Sequence, residues 1–278
     1  MKIARVFPRK TEATPDDELV FFDRPGFFEK DIDEVHISVA FTYDIERANI
    51  LAEHWGKIAP VKIGGPAFND PGGEFIPGIY LKKGYVITSR GCPNKCWFCQ
   101  VPKREGRKIR ELEIKDGWNI LDSNLLACSH SHIKNVFKML SRQKEKAQFT
   151  GGFEAKRLRN WHVSLLWELR PQQMFFAYDT PDDLEPLIEA GKKLHYADFT
   201  RQHLRCYCLI GDKDDTFDKA EKRLMQAWIA GFLPMAMLWK NKDGDEDPKW
   251  AEFQRLWARP AITKTIVKNI HKKYLKEI

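Results

Sequence analysis

Apolar positions along this chain follow two rhythms, alternating in places and recurring every three or four residues in others. Glu34–Phe41 (EVHISVAF) is a β-branched and aromatic run that predicts a strand. Asp44 then stands where it can cap a helix whose apolar face uses Ala48, Leu51, Ala52 and Trp55. Val61-Lys62-Ile63 predicts a second strand, which stops at Gly64-Gly65-Pro66, and the Gly- and Pro-rich stretch Pro66–Gly78 reads as a linker. Tyr80–Thr88 and Trp118–Leu126 predict further strands, the second followed by a helix with Ile133, Val136, Phe137 and Leu140 on one face. Gln148-Phe149-Thr150 leads into Gly151-Gly152. Met174–Tyr178 predicts a strand, and Asp182 or Asp183 the cap of a helix bearing Leu184, Leu187, Ile188 and Leu194. Leu204–Ile210 is another strand, Asp215 or Thr216 opens a helix that Gly231 closes, and Phe232–Trp239 is the last strand. The tail from Trp250 is helical by pattern, with a break at Pro260.

Strands alternating with helices predict an α/β fold with a parallel sheet or barrel, in which sites gather at the C-terminal ends of the strands. The expected organisation is a small α/β domain over residues 1–79, a barrel-like domain over 80–240 and a helical extension over 241–278.

Composition narrows the class. With 43% apolar and 31% charged residues the chain is globular rather than disordered. No apolar run approaches the roughly 18–20 residues that span a bilayer, and Met1–Arg5 lacks a signal-peptide stretch, so a cytoplasmic protein with no membrane partner is expected. Charge is uneven: residues 1–80 carry 9 Lys and Arg against 14 Asp and Glu, while the rest carry 37 against 25. A basic body suits nucleic acid or a nucleotide as partner, and a solvated Lys-rich surface accounts for it equally well.

Three of the six cysteines, Cys92, Cys96 and Cys99, fall within eight consecutive residues. In a reducing compartment such spacing points to metal binding or redox chemistry rather than disulfides. Thiolates are natural ligands of iron–sulfur clusters, and a loop supplying only three leaves one iron open. Zinc would want a fourth Cys or His nearby, which the loop lacks. Three unrelated thiols is the other alternative.

The segment Gly91–Cys99 (GCPNKCWFC), Cys-x3-Cys-x2-Cys with an aromatic before the last cysteine, resembles the radical S-adenosylmethionine (SAM) superfamily, and the resemblance covers roughly Tyr80 to Trp239. It implies a partial (β/α)6 TIM-like barrel, with Cys92, Cys96 and Cys99 holding a [4Fe–4S] cluster whose open iron is chelated by SAM. One electron then cleaves SAM to methionine and a 5′-deoxyadenosyl radical, which takes a hydrogen atom from the substrate. On the same resemblance Phe98 packs near the adenine, and Ile210 and Gly211 form the segment whose backbone hydrogen-bonds it. The methionine end of SAM falls to Asp122, Asn124, Gly151, Gly152 and Glu154, although Phe153 interrupts the family's Gly-Gly-Glu. Tyr178 and Asp179, at a strand end, are expected to meet the SAM ribose or the substrate, a helix cap being the plainer reading of Asp179.

Cys206 and Cys208 alternate on one strand and so face the same way. Facing a barrel lumen with Cys128, they could hold a second cluster, or one could return a hydrogen atom to a product radical; packing as small hydrophobes is the alternative. Pro102–Arg110 resembles the Pro-x-x-x-Gly-x-x-x-Arg stretch of methylthiotransferases and cobalamin-type radical SAM enzymes. Its basic side chains could dock a flavodoxin or ferredoxin-type electron donor. The N-terminal unit is similar to a shrunken cobalamin-binding domain. The signature Asp-x-His-x-x-Gly is missing, with His36 in an expected strand and His54 in a helix, so cobalamin is not expected.

The whole chain, including Val6–Lys10, Thr14–Leu19 and Ala177–Leu184, resembles a radical SAM group often encoded by bacteriophages. That resemblance implies radical modification or isomerisation of a nucleic-acid base, such as a hypermodified thymine of phage DNA, in the host cytoplasm. The alternatives are a methylthiotransferase or methyltransferase acting on tRNA or protein, and a non-enzymatic cluster protein that binds nucleic acid or senses redox state.

Overall fold

The computed structural model describes residues 1–26, 31–241 and 243–274, with side chains as far as 268. Two compact units emerge, one of Met1–Ser123 with Lys242–Gly244 and the other of Asn124–Asn241 with Asp245–Ile278.

The first unit opens with β1 (Ile3–Val6), β2 (Val20–Phe21), β3 (Glu34–Ser38), α1 (Ile45–Trp55) and β4 (Val61–Gly64). The strands form a parallel sheet in the order β2-β1-β3-β4. Ala4, Val6, Val35, Ile37 and Val39 pack against Ala48, Leu51 and Trp55 of α1, which are the apolar positions the helical rhythm singled out. Neither β1 nor β2 was expected. Arg5 sits in the middle of β1 and breaks its apolar run, yet it is buried, paired with Asp17 and donating to the Gly78 carbonyl at 3.0 Å. Asp44 lies where a cap was expected but makes no side-chain cap bond. Its two carboxylate oxygens instead take Nε and Nη2 of Arg9, each at 2.9 Å.

Further along, the unit becomes irregular. It contains β5 (Tyr85–Val86), β6 (Ser89–Arg90), the single-turn α2 (Val101–Arg104), β7 (Arg110–Glu111) and β8 (Asn119–Ile120). β5 pairs in parallel with β8, and β6 pairs antiparallel with β7. The strand expected over Tyr80–Thr88 thus shrinks to two residues. Gly84 turns the chain at φ 97°, and the Trp118 ring occupies the space where a Cβ would stand. The strand expected over Trp118–Leu126 is equally short, because the chain enters a 3-10 turn at Leu125–Ala127.

The second unit is regular. Strands β9 (Gln148–Phe153), β10 (Gln173–Ala177), β11 (Leu204–Ile210) and β12 (Leu233–Leu238) run parallel, each beside the next. Helices α3 (His130–Leu140), α4 (Asn160–Leu169), α5 (Leu184–Tyr196) and α6 (Phe217–Ile229) alternate with them, and α7 (Pro248–Trp257) and α8 (Pro260–Tyr274) follow. Both units are therefore of the expected α/β class, with parallel sheets and helices. Helix α4 was not expected, because Trp161 and Trp167 give it no single apolar face, Trp167 being 49% exposed. One sheet face carries Phe149, Phe153 and Phe176, whose rings meet Phe137 of α3 and Phe232. Full burial of each such ring contributes about 2–3 kcal/mol. Thr216 caps α6 as expected, accepting from the Lys219 amide at 3.3 Å. Asp183 instead reaches back to the amide and hydroxyl of Thr180, each at 3.0 Å, and closes a tight turn before α5. No described helix is long and apolar enough to cross a membrane.

Candidate functional site

The cysteine loop belongs to the first unit. Its entrance, Gly91, has φ 91°, and a Cβ there would lie 2.4 Å from the Lys108 carbonyl oxygen, so only glycine lets the two segments approach. The Gly91 amide donates to Glu105 Oε2 at 2.8 Å, the Cys92 amide to the Gly106 carbonyl at 3.2 Å, and Arg107 to the Pro93 carbonyl at 3.0 Å. Within the loop the Cys99 amide donates to the Cys96 carbonyl at 3.1 Å. Cys92 is buried, Cys99 half-buried and Cys96 exposed, and none is in a disulfide. A backbone pinned at both flanks, carrying three thiols from buried to open, suits a cluster held by three sulfurs. Phe98 is half-buried, its ring edge-on to Trp97 at 5.5 Å.

Glu105 is the residue that sequence reasoning missed. It is 7% exposed and binds Gly91, the Ser123 hydroxyl at 2.8 Å and Arg104 at 2.7 Å. Burial by itself would raise its carboxyl, but these donors outweigh burial and hold it below the usual carboxylate range. A lone Glu inside a basic run looked like surface. The signal was its place one residue before Gly106, where the Pro-x-x-x-Gly stretch turns back on the cysteines. Arg110, the last residue of that stretch, donates to the Pro71 carbonyl at 2.7 Å and so is an anchor for the loop before β5.

Asp122 was expected at the methionine end of SAM. The structure places it at 1% exposure, taking the Thr88 amide and hydroxyl at 2.6 Å and the Ser89 hydroxyl at 2.7 Å. Burial raises its carboxyl against those donors. Its oxygens serve to tie down the strand that leads into the cysteine loop.

The remaining candidates lie in the second unit. From Phe149 to Phe153, β9 spends four residues where β10 spends two, so Gly151-Gly152 forms a bulge. Gly152 has φ 95°, and Gly151 is exposed. A bulge takes backbone groups out of the ladder and offers them to a ligand. Glu154, just beyond, accepts from Asn124 Nδ2 at 2.6 Å, bringing two expected SAM contacts together, and pairs with Arg157 at 2.6 Å and Lys156 at 2.9 Å. Burial would raise the Glu154 carboxyl, but these partners lower it. Ile210 and Gly211 are engaged: the Ile210 carbonyl accepts from the Trp239 amide at 2.8 Å, and the Gly211 amide donates to Asp215 at 2.9 Å.

Cys206 and Cys208 share one face of β11, as alternation predicts, and both are 0% exposed. Cys206 stands in register with Phe176, on the face whose aromatic rings continue to Phe232, and burial pushes its thiol well up. The opposite face bears Phe175 and Tyr207, stacked at 4.7 Å. The two thiols therefore stand in the packed layer, as the small-hydrophobe reading of the sequence has them. Tyr178 lies on the same layer, its hydroxyl donating to Gln226 of α6 at 2.7 Å, and burial pushes it up to about 12. Asp179 accepts from the Leu209 amide at 2.9 Å, and burial raises its carboxyl to about 6. Cys128 is buried, its sulfur 4.0 Å from the Asn124 carbonyl.

No protein-family model matches the chain. Two curated relatives are similar to 191 residues of it, both ribosomal protein uS12 methylthiotransferases (RimO). The one from Actinobacillus succinogenes is 28% identical and the one from Mannheimia succiniciproducens 26%. In each case the match takes in 64% of this chain and 42% of the relative, so the chain spans about two-fifths of the length of the relatives it matches.

Proposed function

We propose that this protein is a radical SAM enzyme that modifies the base of a nucleotide or nucleic acid. The observation that carries the reading is the pinned Cys92–Cys99 loop, with Gly91 and Glu105 fixing its flanks. A similarity to methylthiotransferases over 191 residues supports the same class. Cys92, Cys96 and Cys99 fit a [4Fe–4S] cluster as thiolate ligands; when bound with SAM, that cluster supplies the one-electron cleavage of SAM to methionine and a 5′-deoxyadenosyl radical.

The chain's own residues do the positioning. Glu105 holds Gly91 and thereby the first thiol, and the Gly151-Gly152 bulge presents backbone donors to a carboxylate. Glu154, kept ionised by Asn124, Lys156 and Arg157, is the acceptor for an ammonium group. Phe98 offers an aromatic face to the adenine.

Methylthiolation is the second reading, favoured by the relatives. It would call for a second cluster, for which the remaining cysteines of this chain are Cys128, Cys206 and Cys208. The preference for a nucleotide rests on the excess of basic groups after residue 80.

Anaerobic reconstitution with iron, sulfide, dithionite and SAM tests the class. Release of 5′-deoxyadenosine by the parent and its loss in Cys96→Ala are expected. About four iron atoms per chain fit the single cluster, whereas about eight would favour the methylthiotransferase reading. Retention of the brown colour and of SAM cleavage in Cys96→Ala would sink the assignment. Mass spectrometry of nucleosides from cells with the parent or the variant reports whether the product is a modified base.

A further inference from the structure

The second unit also contains a cavity of about 600 Å3, within the range of small-ligand sites. It lies at the end of the sheet where Arg205 of β11 and Leu233 of β12 stand in register at the starts of their strands. Ile210 closes the other end of β11, about 17 Å away at roughly 3.3 Å per residue. The Gly151-Gly152 bulge and Asp179 belong to that other end, where ligands of parallel sheets gather, so the cavity is separate from the site proposed above.

Its charge is of one sign. Arg201, Arg205 and Lys264 line it, and no carboxylate does among the described residues. Arg201 lies over the Trp228 ring at 4.6 Å and donates Nε and Nη2 to the Trp228 carbonyl at 3.3 and 2.9 Å, which holds its plane and leaves Nη1 uncommitted. The half-buried Arg205 has no hydrogen-bond or ion-pair partner among the described residues, yet none of its nitrogens is sealed from solvent. Burial lowers the pKa of both guanidiniums, and no neighbouring carboxylate opposes it. Lys264 is exposed and also makes no ion pair among the described residues. Pro260, the first residue of α8, is on the same wall, so the positive end of that helix borders the cavity. Guanidiniums that lose hydration without gaining a counter-charge are stabilised by an incoming oxyanion, whose geometry their donor fork matches.

We infer that this cavity binds a small oxyanion carrying two or more negative charges, a phosphomonoester or a diphosphate, between Arg201, Arg205 and Lys264. Three cations with no carboxylate among them are balanced by such a ligand. A carboxylate or a phosphodiester brings one charge and leaves two cations unanswered.

Calorimetric titration of the full chain at fixed ionic strength, without divalent metal, compares pyrophosphate, acetate and a short thymidine oligonucleotide with no terminal phosphate. Pyrophosphate is expected to bind once per chain and about tenfold or more tighter than acetate, the worth of one further charge-assisted contact. Arg205→Gln should weaken pyrophosphate about tenfold, and Lys264→Gln, at an exposed position, about threefold. Lys134→Gln removes the same charge from an exposed position of α3, outside the cavity, and should change nothing. Equal binding of acetate and pyrophosphate would overturn the inference. So would an Arg205→Gln protein that binds as the parent does, or a loss in Lys134→Gln as large as in Lys264→Gln, since net charge alone would then account for the binding. An oligonucleotide that binds as tightly as pyrophosphate, and weakens equally in Arg205→Gln, would make the surface a dock for a strand and overturn the choice of ligand. Should Arg205→Gln fail to fold, the ligand order and Lys264→Gln still decide.

Discussion

The two units hold their chemistry-bearing residues by different means. In the second unit, candidate residues stand at the ends of long parallel strands, and a packed aromatic layer of Phe149, Phe153, Phe176 and Phe232 determines where those ends lie. In the first, the cysteine loop hangs between two-residue strands, and buried polar contacts do the work that packing does elsewhere. Glu105 and Asp122 between them take hydrogen bonds from Gly91, Ser123, Thr88, Ser89 and Arg104. Apolar packing is tolerant and spreads a perturbation over many contacts, whereas a polar pin concentrates it in one group. A site that must release and rebind a ligand can be held rigid at its base by such pins while its tip, at Cys96 and Trp97, stays open.

The contrast can be broken most strongly at Glu105. Glu105→Ala leaves Arg104 and Arg90 without their shared carboxylate and Gly91 without its acceptor, and should cost about 4 kcal/mol in denaturant unfolding. Iron uptake should fall with it. If the variant keeps the parent's stability, the polar-pin account of the first unit is wrong. Gly91→Ala should cost about 3 kcal/mol, because the left-handed φ and the approach to the Lys108 carbonyl both resist a Cβ. A crystal structure or iron titration of that variant would show whether the loop shifts, and an unshifted loop with full iron content would count against the close approach.

Acid and base behaviour should differ in sign between Asp179 and Glu105. Asp179 in the second unit has its carboxyl raised to about 6, above the ordinary value near 4, so the folded chain keeps a proton that the unfolded chain releases. Stability therefore falls as pH rises from about 4 to about 6, by about 3 kcal/mol. Asp179→Asn, which can still accept from the Leu209 amide, should remove that slope in urea titrations at a series of pH values. Glu105 acts the other way: its lowered carboxyl stabilises the fold above the usual carboxylate range and stops doing so as pH falls through its depressed value. The smallest effect belongs to the bulge. Gly152→Ala meets nothing closer than the Phe175 carbonyl oxygen at 4.0 Å, so only the φ of 95° resists it, at about 1 kcal/mol. Its SAM affinity, measured by equilibrium dialysis on reconstituted protein, should nevertheless drop, and unchanged affinity would remove the bulge from the site.

Much of the second unit was legible beforehand. Leu204–Ile210 is a strand with the bounds its apolar run predicts, and Ile133, Val136, Phe137 and Leu140 form one buried face of α3, because both segments bury a face whose period shows in sequence. The first unit was legible only where the same condition held, at β3, α1 and β4. It was opaque at β1, where a buried Arg5 breaks the pattern, and at Glu105, whose partners lie 14 and 18 residues away.

By itself, the sequence determined the spacing of three thiols, the class of the fold and the glycines at which the chain can turn, since all of these depend on residues close together along the chain. Tertiary structure alone decided that the Asp122 carboxylate takes up Thr88 and Ser89, that Cys206 and Cys208 stand in the packed layer, and that the Arg90 Nε is buried without a hydrogen-bond partner among the described residues. Whether a polar group is spent or available depends on partners that folding brings from elsewhere in the chain, and on the water that burial removes.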